Sequence, residues 1–276
     1  MKNKKGYALC IAMLLMTIIG IVFTGSLRVD AATTMEKKMY TLENPTWLRA
    51  QGLSKGIDHD RQDLGIIVPK DSTIEIRQTN PNYKGTVRVE LLNNDSSKED
   101  GYQVGSTWVT ATARADSALL AKTTFTTEAP ILEYKVDDKV IELPVFKQGD
   151  KEADFFEKWD KSNAAFALIG NKYIQILVPA QDKPYLKKMD EFSSINDLLA
   201  YYDTLFETYN ELEGISFTSE IATDKNVPTK YFAKANIKGA GAGYYGGDHT
   251  ADSSSSVYGF FLKPGWGGLH EIGHGY

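Results

Sequence analysis

Between residues 35 and 149 apolar and polar positions alternate in short bursts, each closed by turn residues. In Thr73-Ile74-Glu75-Ile76-Arg77 and in Thr86-Val87-Arg88-Val89-Glu90 every second side chain is apolar, the period of a strand with one buried face. Asn80-Pro81-Asn82-Tyr83-Lys84-Gly85 lies between them and carries turn chemistry, which predicts an antiparallel pair. Trp108-Val109, residues 131–136 and residues 140–146 continue the series, with Asp137-Asp138-Lys139 joining the last two as a hairpin. Residues 93–101 read as an exposed loop. Short strands at this spacing predict a β-sandwich over residues 32–149. A sandwich of this kind either binds sugars or supports a neighbouring domain, and its pattern does not choose between the two.

After the polar stretch Gln148-Gly149-Asp150-Lys151-Glu152 the period changes. Phe155-Phe156-Glu157-Lys158-Trp159 predicts a short helix, and Tyr173-Ile174-Gln175-Ile176-Leu177-Val178 a strand closed by Pro179. The clearest helix follows. Ser194 and Asp197 stand at N-cap and N3 spacing, and Ile195, Leu198, Leu199, Tyr202, Leu205, Phe206, Tyr209 and Leu212 recur on one face until Gly214. This stripe is core. Residues 231–245 and 257–262 are the two windows for a further strand. Gly239, Gly241, Gly243, Gly246 and Gly247 leave the first of these bare, either for close approach of a ligand or as a flexible loop. Residues 253–256 read as a loop tip, and Asp248-His249 as a solvated pair without ligand spacing to the other histidines.

Charge and composition add the compartment. Lys2, Lys4 and Lys5 precede an uncharged run over residues 7–23, and Val29-Asp30-Ala31 has signal-peptidase spacing. Residues 1–31 are therefore expected to be a secretory signal cleaved near Ala31, leaving a secreted mature chain with no membrane attachment. An uncleaved anchor is the other reading of the same run. The single cysteine, Cys10, falls inside it, so the mature chain has no disulfide and rests on its packed core. The whole chain has a formal net charge of -5, and the signal carries more basic than acidic side chains, so its removal leaves the protein more acidic. With no cluster of Lys and Arg, the sequence argues against nucleic acid as a partner.

The chemistry concentrates in His270-Glu271-Ile272-Gly273-His274-Gly275-Tyr276. Positions i and i+4 share one face of a helix, so His270 and His274 can offer imidazole nitrogen to one Zn2+ ion while Glu271 reaches water beside it as general base. A catalytic zinc takes three protein ligands and an open position, and no third ligand stands at the expected spacing. The helix is also too short to be stable alone and must depend on tertiary contacts through residues such as Leu269 and Ile272.

Pro264-Gly265-Trp266-Gly267-Gly268-Leu269 leading into this motif resembles the metal helix of the enhancin-like, mucin-degrading zinc metallopeptidases, which combine H-E-x-x-H-G-Y with a glutamate ligand farther downstream. The resemblance implies a gluzincin-type centre with His270 and His274 as zinc ligands, Glu271 as base and the third ligand beyond this chain. A metzincin carries a glycine three positions past its second histidine, and the residues present do not separate the two. The implied fold class is α+β: an N-terminal β-sandwich followed by the upper half of a zincin-like peptidase domain over residues 150–276, truncated in the metal-binding helix. Strand, long helix, strand and metal helix is the order of that half-domain, whose edge strand holds extended substrate by main-chain hydrogen bonds. The expected activity is endopeptidase cleavage of mucin-like or other extracellular glycoproteins, with glycan contacts, by a longer enzyme of which this chain is a part inactive alone. The alternative is a noncatalytic carbohydrate- or surface-binding remnant of such an enzyme.

Overall fold

The computed structural model describes residues 33–137 and 139–276; the expected signal, residues 1–31 with Cys10, lies outside the described residues. Two antiparallel sheets form the sandwich. The outer one has the order β1 (Thr33–Lys38), β8 (Ile131–Val136), β3 (Thr73–Gln78), β6 (Val109–Thr112). The inner one has the order β5 (Asp100–Val104), β4 (Val87–Leu92), β7 (Ser117–Lys122), β2 (Arg61–Val68), β9 (Ile141–Glu142). Ile74, Ile76, Leu132 and Tyr134 of the outer sheet share one core with Leu64, Ile66, Val68, Val87, Val89 and Leu91 of the inner. The inner sheet is apolar on its second face too, where Ile67, Leu92, Ala118 and Leu120 join the core of the following half. Burial on both faces explains why β7 reads as a continuous run, Ala118-Leu119-Leu120-Ala121, instead of alternating.

The expected pairing of residues 73–77 with 86–90 does not form. β3 pairs with β6 and β8, β4 with β5 and β7, so the turn at Asn80-Pro81 carries the chain from one sheet to the other. Alternation states which face of a strand is buried and is silent about its lateral neighbour, and here the two apolar faces meet across the sandwich. The second expected hairpin fails for the same reason. β8 stays in the outer sheet, β9 pairs with β2, and β10 (Val145–Lys147) opens a third sheet. Residues 93–101 are exposed only in part, at Ser96, Ser97, Lys98 and Gly101. Asn93 and Asp95 are buried, Ile237 N–H donates to the Asn94 carbonyl at 2.9 Å, and the Lys234 ammonium donates to the Asn93 carbonyl at 3.1 Å.

The third sheet is mixed, with the order β10, β11 (Phe166–Gly170), β12 (Ile174–Pro179), β13 (Tyr231–Ala235), β15 (Thr250–Asp252), β14 (Gly243–Tyr245). Its helices are α2 (Glu152–Ser162), α3 (Lys183–Lys187), α4 (Ile195–Leu212), α5 (Tyr258–Phe261) and α6 (Trp266–Gly273), while α1 (Thr46–Ala50) precedes β2. Phe155 and Trp159 of α2 and Ile195, Leu198, Leu199, Tyr202 and Phe206 of α4 pack with Ile174, Ile176 and Phe232 of the strands. The Ser194 hydroxyl caps α4 by accepting from Asp197 N–H at 3.0 Å. At the other end Gly214, at φ +70, lets Ile215 N–H reach the Asn210 carbonyl at 2.9 Å, a Schellman stop. Leu212 departs from the expected stripe at 76% exposed, because it lies about a quarter turn off the buried face. Residues 257–262 form α5 instead of a strand, and the edge strand falls in the other expected window, as β14. The fold is α+β, and no helix among the described residues is long and apolar enough to cross a membrane.

Candidate metal centre

Helix α6 lies against α5 and the edge strand because glycines let it come close. A Cβ on Gly268 would strike the Phe260 carbonyl, and one on Gly267 would stand 2.7 Å from the Phe260 ring. The same ring would strike a Cβ on Gly243 of β14, so Phe260 is wedged between helix and strand where both are bare. The glycine-rich stretch thus serves packing and a short strand. Gly268→Ala is expected to lower stability by about 1–3 kcal/mol, read as a lower urea midpoint at unchanged slope. Gly247→Ala, with open space around its Cβ, is the control expected to be silent.

The far end of α6 is tied down by a set of tyrosines and one backbone bond. Tyr209 donates to the Leu269 carbonyl at 3.0 Å and Tyr231 to the Ile272 carbonyl at 3.3 Å, partners for carbonyls near a helix end. Tyr276 stacks on Tyr209 with ring centres 4.9 Å apart and donates to Asn210 Oδ1 at 3.0 Å. Lys55 N–H donates to the Gly275 carbonyl at 2.7 Å. Ile272 is fully buried and Leu269 partly so, which supplies the tertiary support a two-turn helix requires.

On this helix the Nε2 atoms of His270 and His274 stand 3.1 Å apart, both rings reaching solvent. Two ligands at about 2.0–2.1 Å from a tetrahedral zinc are about 3.3 Å from each other, so the two imidazoles fit one ion with little adjustment. Glu271 is only 7% exposed, and its carboxylate approaches His274 Nε2 at 3.9 Å. Trp266, 73% exposed, stacks on the His270 ring at 4.2 Å and restricts its rotation. Among the described residues no group of three or more His, Cys, Asp or Glu side chains is placed to hold a metal.

Sequence reasoning missed the arm that sets helix and edge strand side by side. Ser54 Oγ and Tyr245 Oη are 2.8 Å apart, Gly56 N–H donates to Tyr245 Oη at 3.1 Å, and His59 Nε2 donates to the Gly246 carbonyl at 2.9 Å. Tyr245 in turn faces His274 across 6.5 Å between ring centres. Burial pushes the His59 imidazole down to about 3, so its ring is neutral and the proton sits on Nε2. These contacts span nearly the whole described chain, and no local motif announces them.

Asp248-His249 lies on the loop between β14 and β15 with Asp248 partly solvated, at 42% side-chain exposure, but the pair is also fixed by hydrogen bonds. His249 Nδ1 donates to Asp248 Oδ1 at 2.7 Å, Tyr244 Oη lies 2.6 Å from His249 Nε2, and Asp248 Oδ2 also meets Lys122 at 3.3 Å and Arg61 at 3.4 Å. The hydrogen bond from His249, with Arg61 and Lys122 nearby, holds the Asp248 carboxyl far below the usual carboxylate range. The pair fastens the tip of the β14–β15 hairpin.

The viral-enhancing factor of Trichoplusia ni granulosis virus is 26% identical over 243 residues, covering 84% of this chain but only 26% of that protein. The catalytic module of the metalloprotease ZmpA from Clostridium perfringens has the same fold, with a TM-score of 0.66 at 13% identity over 87% of this chain and 53% of its own. The M60 catalytic domain of Clostridium perfringens ZmpC, solved in complex with the sialyl T antigen, gives a TM-score of 0.65 at 13% identity over 87% of this chain and 52% of its own. The chain thus spans about a quarter of the viral relative and about half of each solved module. The family model for peptidase M60, enhancin and enhancin-like, matches residues 139–276, from just before β9 through the motif helix, and the chain belongs to that family.

Proposed function

We propose that this chain is part of a secreted, zinc-dependent endopeptidase acting on mucin-like or other extracellular glycoproteins. The observation that carries the reading is the paired Nε2 atoms of His270 and His274, 3.1 Å apart, beside the buried Glu271 on a helix packed against an edge strand. In this reading His270 and His274 are two zinc ligands, and the third comes from outside the described residues. Zinc bound there would supply Lewis acidity and lower the pKa of water toward about 7. Glu271 takes the proton from the attacking water. The free side of β14 offers main-chain donors and acceptors to an extended substrate, and the arm from Ser54 to His59 holds that strand at a set distance from the helix. A glycoprotein substrate is supported by the glycan in the ZmpC complex, and secretion by the pattern of residues 1–31.

Equilibrium dialysis with zinc tests the ligand set. The 276-residue chain is expected to bind zinc weakly, His270→Ala or His274→Ala to abolish that binding, and extension through the downstream coding sequence to make it tight. Tight, stoichiometric zinc that survives both substitutions would refute the assignment.

A further inference from the structure

A cavity of about 390 Å³, lined by no residue of the motif helix or of β14, opens between β2 and the strands β10 to β12. Its volume lies within the range of small-molecule sites. Val145 and Leu168 contribute an apolar wall. Three amides line it; Gln148 donates from Nε2 to Asp203 at 2.6 Å, and the other two differ. Asn171 is fully engaged: its Nδ2 donates to the Leu199 carbonyl at 2.9 Å and to Asp203 at 3.2 Å, and its Oδ1 accepts from Tyr173 N–H at 2.8 Å and Ile174 N–H at 3.0 Å. Gln175 is 9% exposed, yet its amide oxygen has no hydrogen-bond partner among the described residues. A buried acceptor left unpaired costs free energy that a donor in the cavity would recover.

The charged lining is also uneven. Asp63 is paired with Lys37 and Lys172 with Glu207. Lys147 and Lys230 form no ion pair with any described residue, although the Lys230 ammonium lies 5.7 Å from the Tyr40 ring centre on the side of Asp60, so the lining holds more positive than negative charge. A ligand that satisfies the whole wall presents a hydroxyl to Gln175, an anionic oxygen to the two lysines and C–H surface to Val145 and Leu168. We propose that this cavity binds a small hydroxylated carboxylate of sugar-acid type, at a site separate from the motif helix and independent of the peptidase reading.

Titration of the full chain, followed by amide chemical shifts, tests this with D-glucuronate, D-glucose and inorganic phosphate as probes. Glucuronate is expected to bind saturably and to shift amides of β10 to β12. Glucose, which lacks the charge, and phosphate, which lacks the carbon skeleton, are each expected to bind at least about tenfold more weakly. Gln175→Leu and Lys230→Met are each expected to weaken glucuronate by about tenfold or more. Lys147→Met, at an exposed side chain, gives a variant whose folding is not in question and should act in the same direction. No saturable binding of glucuronate, equal binding of glucose or phosphate, or unchanged binding in the Lys147 and Lys230 variants would overturn the proposal.

Discussion

Glu271→Gln in the protein extended through its downstream sequence is expected to remove peptide hydrolysis, a loss of about 10²–10⁴ in rate, while zinc content stays the same. The two halves of that expectation have separate causes. Gln keeps the volume and the hydrogen-bonding oxygen of the side chain, so the helix, the buried position of residue 271 and the spacing of His270 and His274 are retained. It cannot accept a proton at working pH, so the step assigned to Glu271 is lost. Zinc content by atomic absorption and kcat/KM on a glycosylated mucin peptide measure the two halves independently. Full activity of the Gln variant would reduce Glu271 to a packing residue. Loss of zinc together with activity would instead make it a ligand. Peptidase activity of the 276-residue chain without extension would overturn the requirement for a third ligand.

The parts of this molecule legible in the sequence are those whose physics is local. The motif needs only i and i+4 on one helical face, and the sequence spacing of His270 and His274 becomes Nε2 atoms 3.1 Å apart. Helix α4 announces itself through a cap, a long apolar stripe and a glycine stop, each a short-range signal. Lateral strand order is not local, and both expected hairpins failed on it although the strands themselves are present. β7 escaped notice because a run apolar on every side is shared by doubly buried strands and buried helices. Residues 257–262 show the same ambiguity resolved by polar partners. Asp182 accepts from Val257 N–H at 2.8 Å and Ser256 Oγ from Tyr258 N–H at 3.0 Å, and these bonds turn the apolar run into the first turn of α5. The arm from Ser54 to His59 had no sequence signal at all, since its function is to bond Tyr245, Gly246 and Gly275, far away in the chain.

Arg61→Met is expected to destabilise the fold by about 3–5 kcal/mol, because it breaks a buried ion pair from one side only. Arg61 is 1% exposed and sits where sandwich, arm and edge hairpin meet. Its Nε donates to Glu90 Oε2 at 2.8 Å, its Nη1 to the His59 carbonyl at 2.8 Å and to the Asp248 carbonyl, and its guanidinium lies 4.6 Å over the Phe232 ring. Met fills much of the volume but leaves Glu90, itself 3% exposed, with only the half-exposed Arg88 at 2.8 Å. Burial pushes the Glu90 carboxyl up, and Arg61 with Arg88 and Lys122 more than reverses this, so its pKa is lowered in the folded chain. A carboxyl lowered on folding contributes stability above its unfolded value of about 4.3 and loses it as pH falls through the folded value. Without Arg61 the burial contribution prevails, the folded pKa rises, and acidification relieves the variant before it harms the parent. The stability gap between parent and variant should therefore be widest near neutral pH and narrow toward pH about 4, as urea midpoints at the two conditions would report. Glu90→Gln added to Arg61→Met should recover much of the loss by removing the stranded charge, which a double-mutant cycle measures. A gap that stays constant with pH, or a double variant no better than Arg61→Met alone, would move the cost from Glu90 to the lost bonds with the His59 and Asp248 carbonyls. The arm and hairpin that frame the motif helix would then be held by Arg61 through backbone contacts rather than through charge.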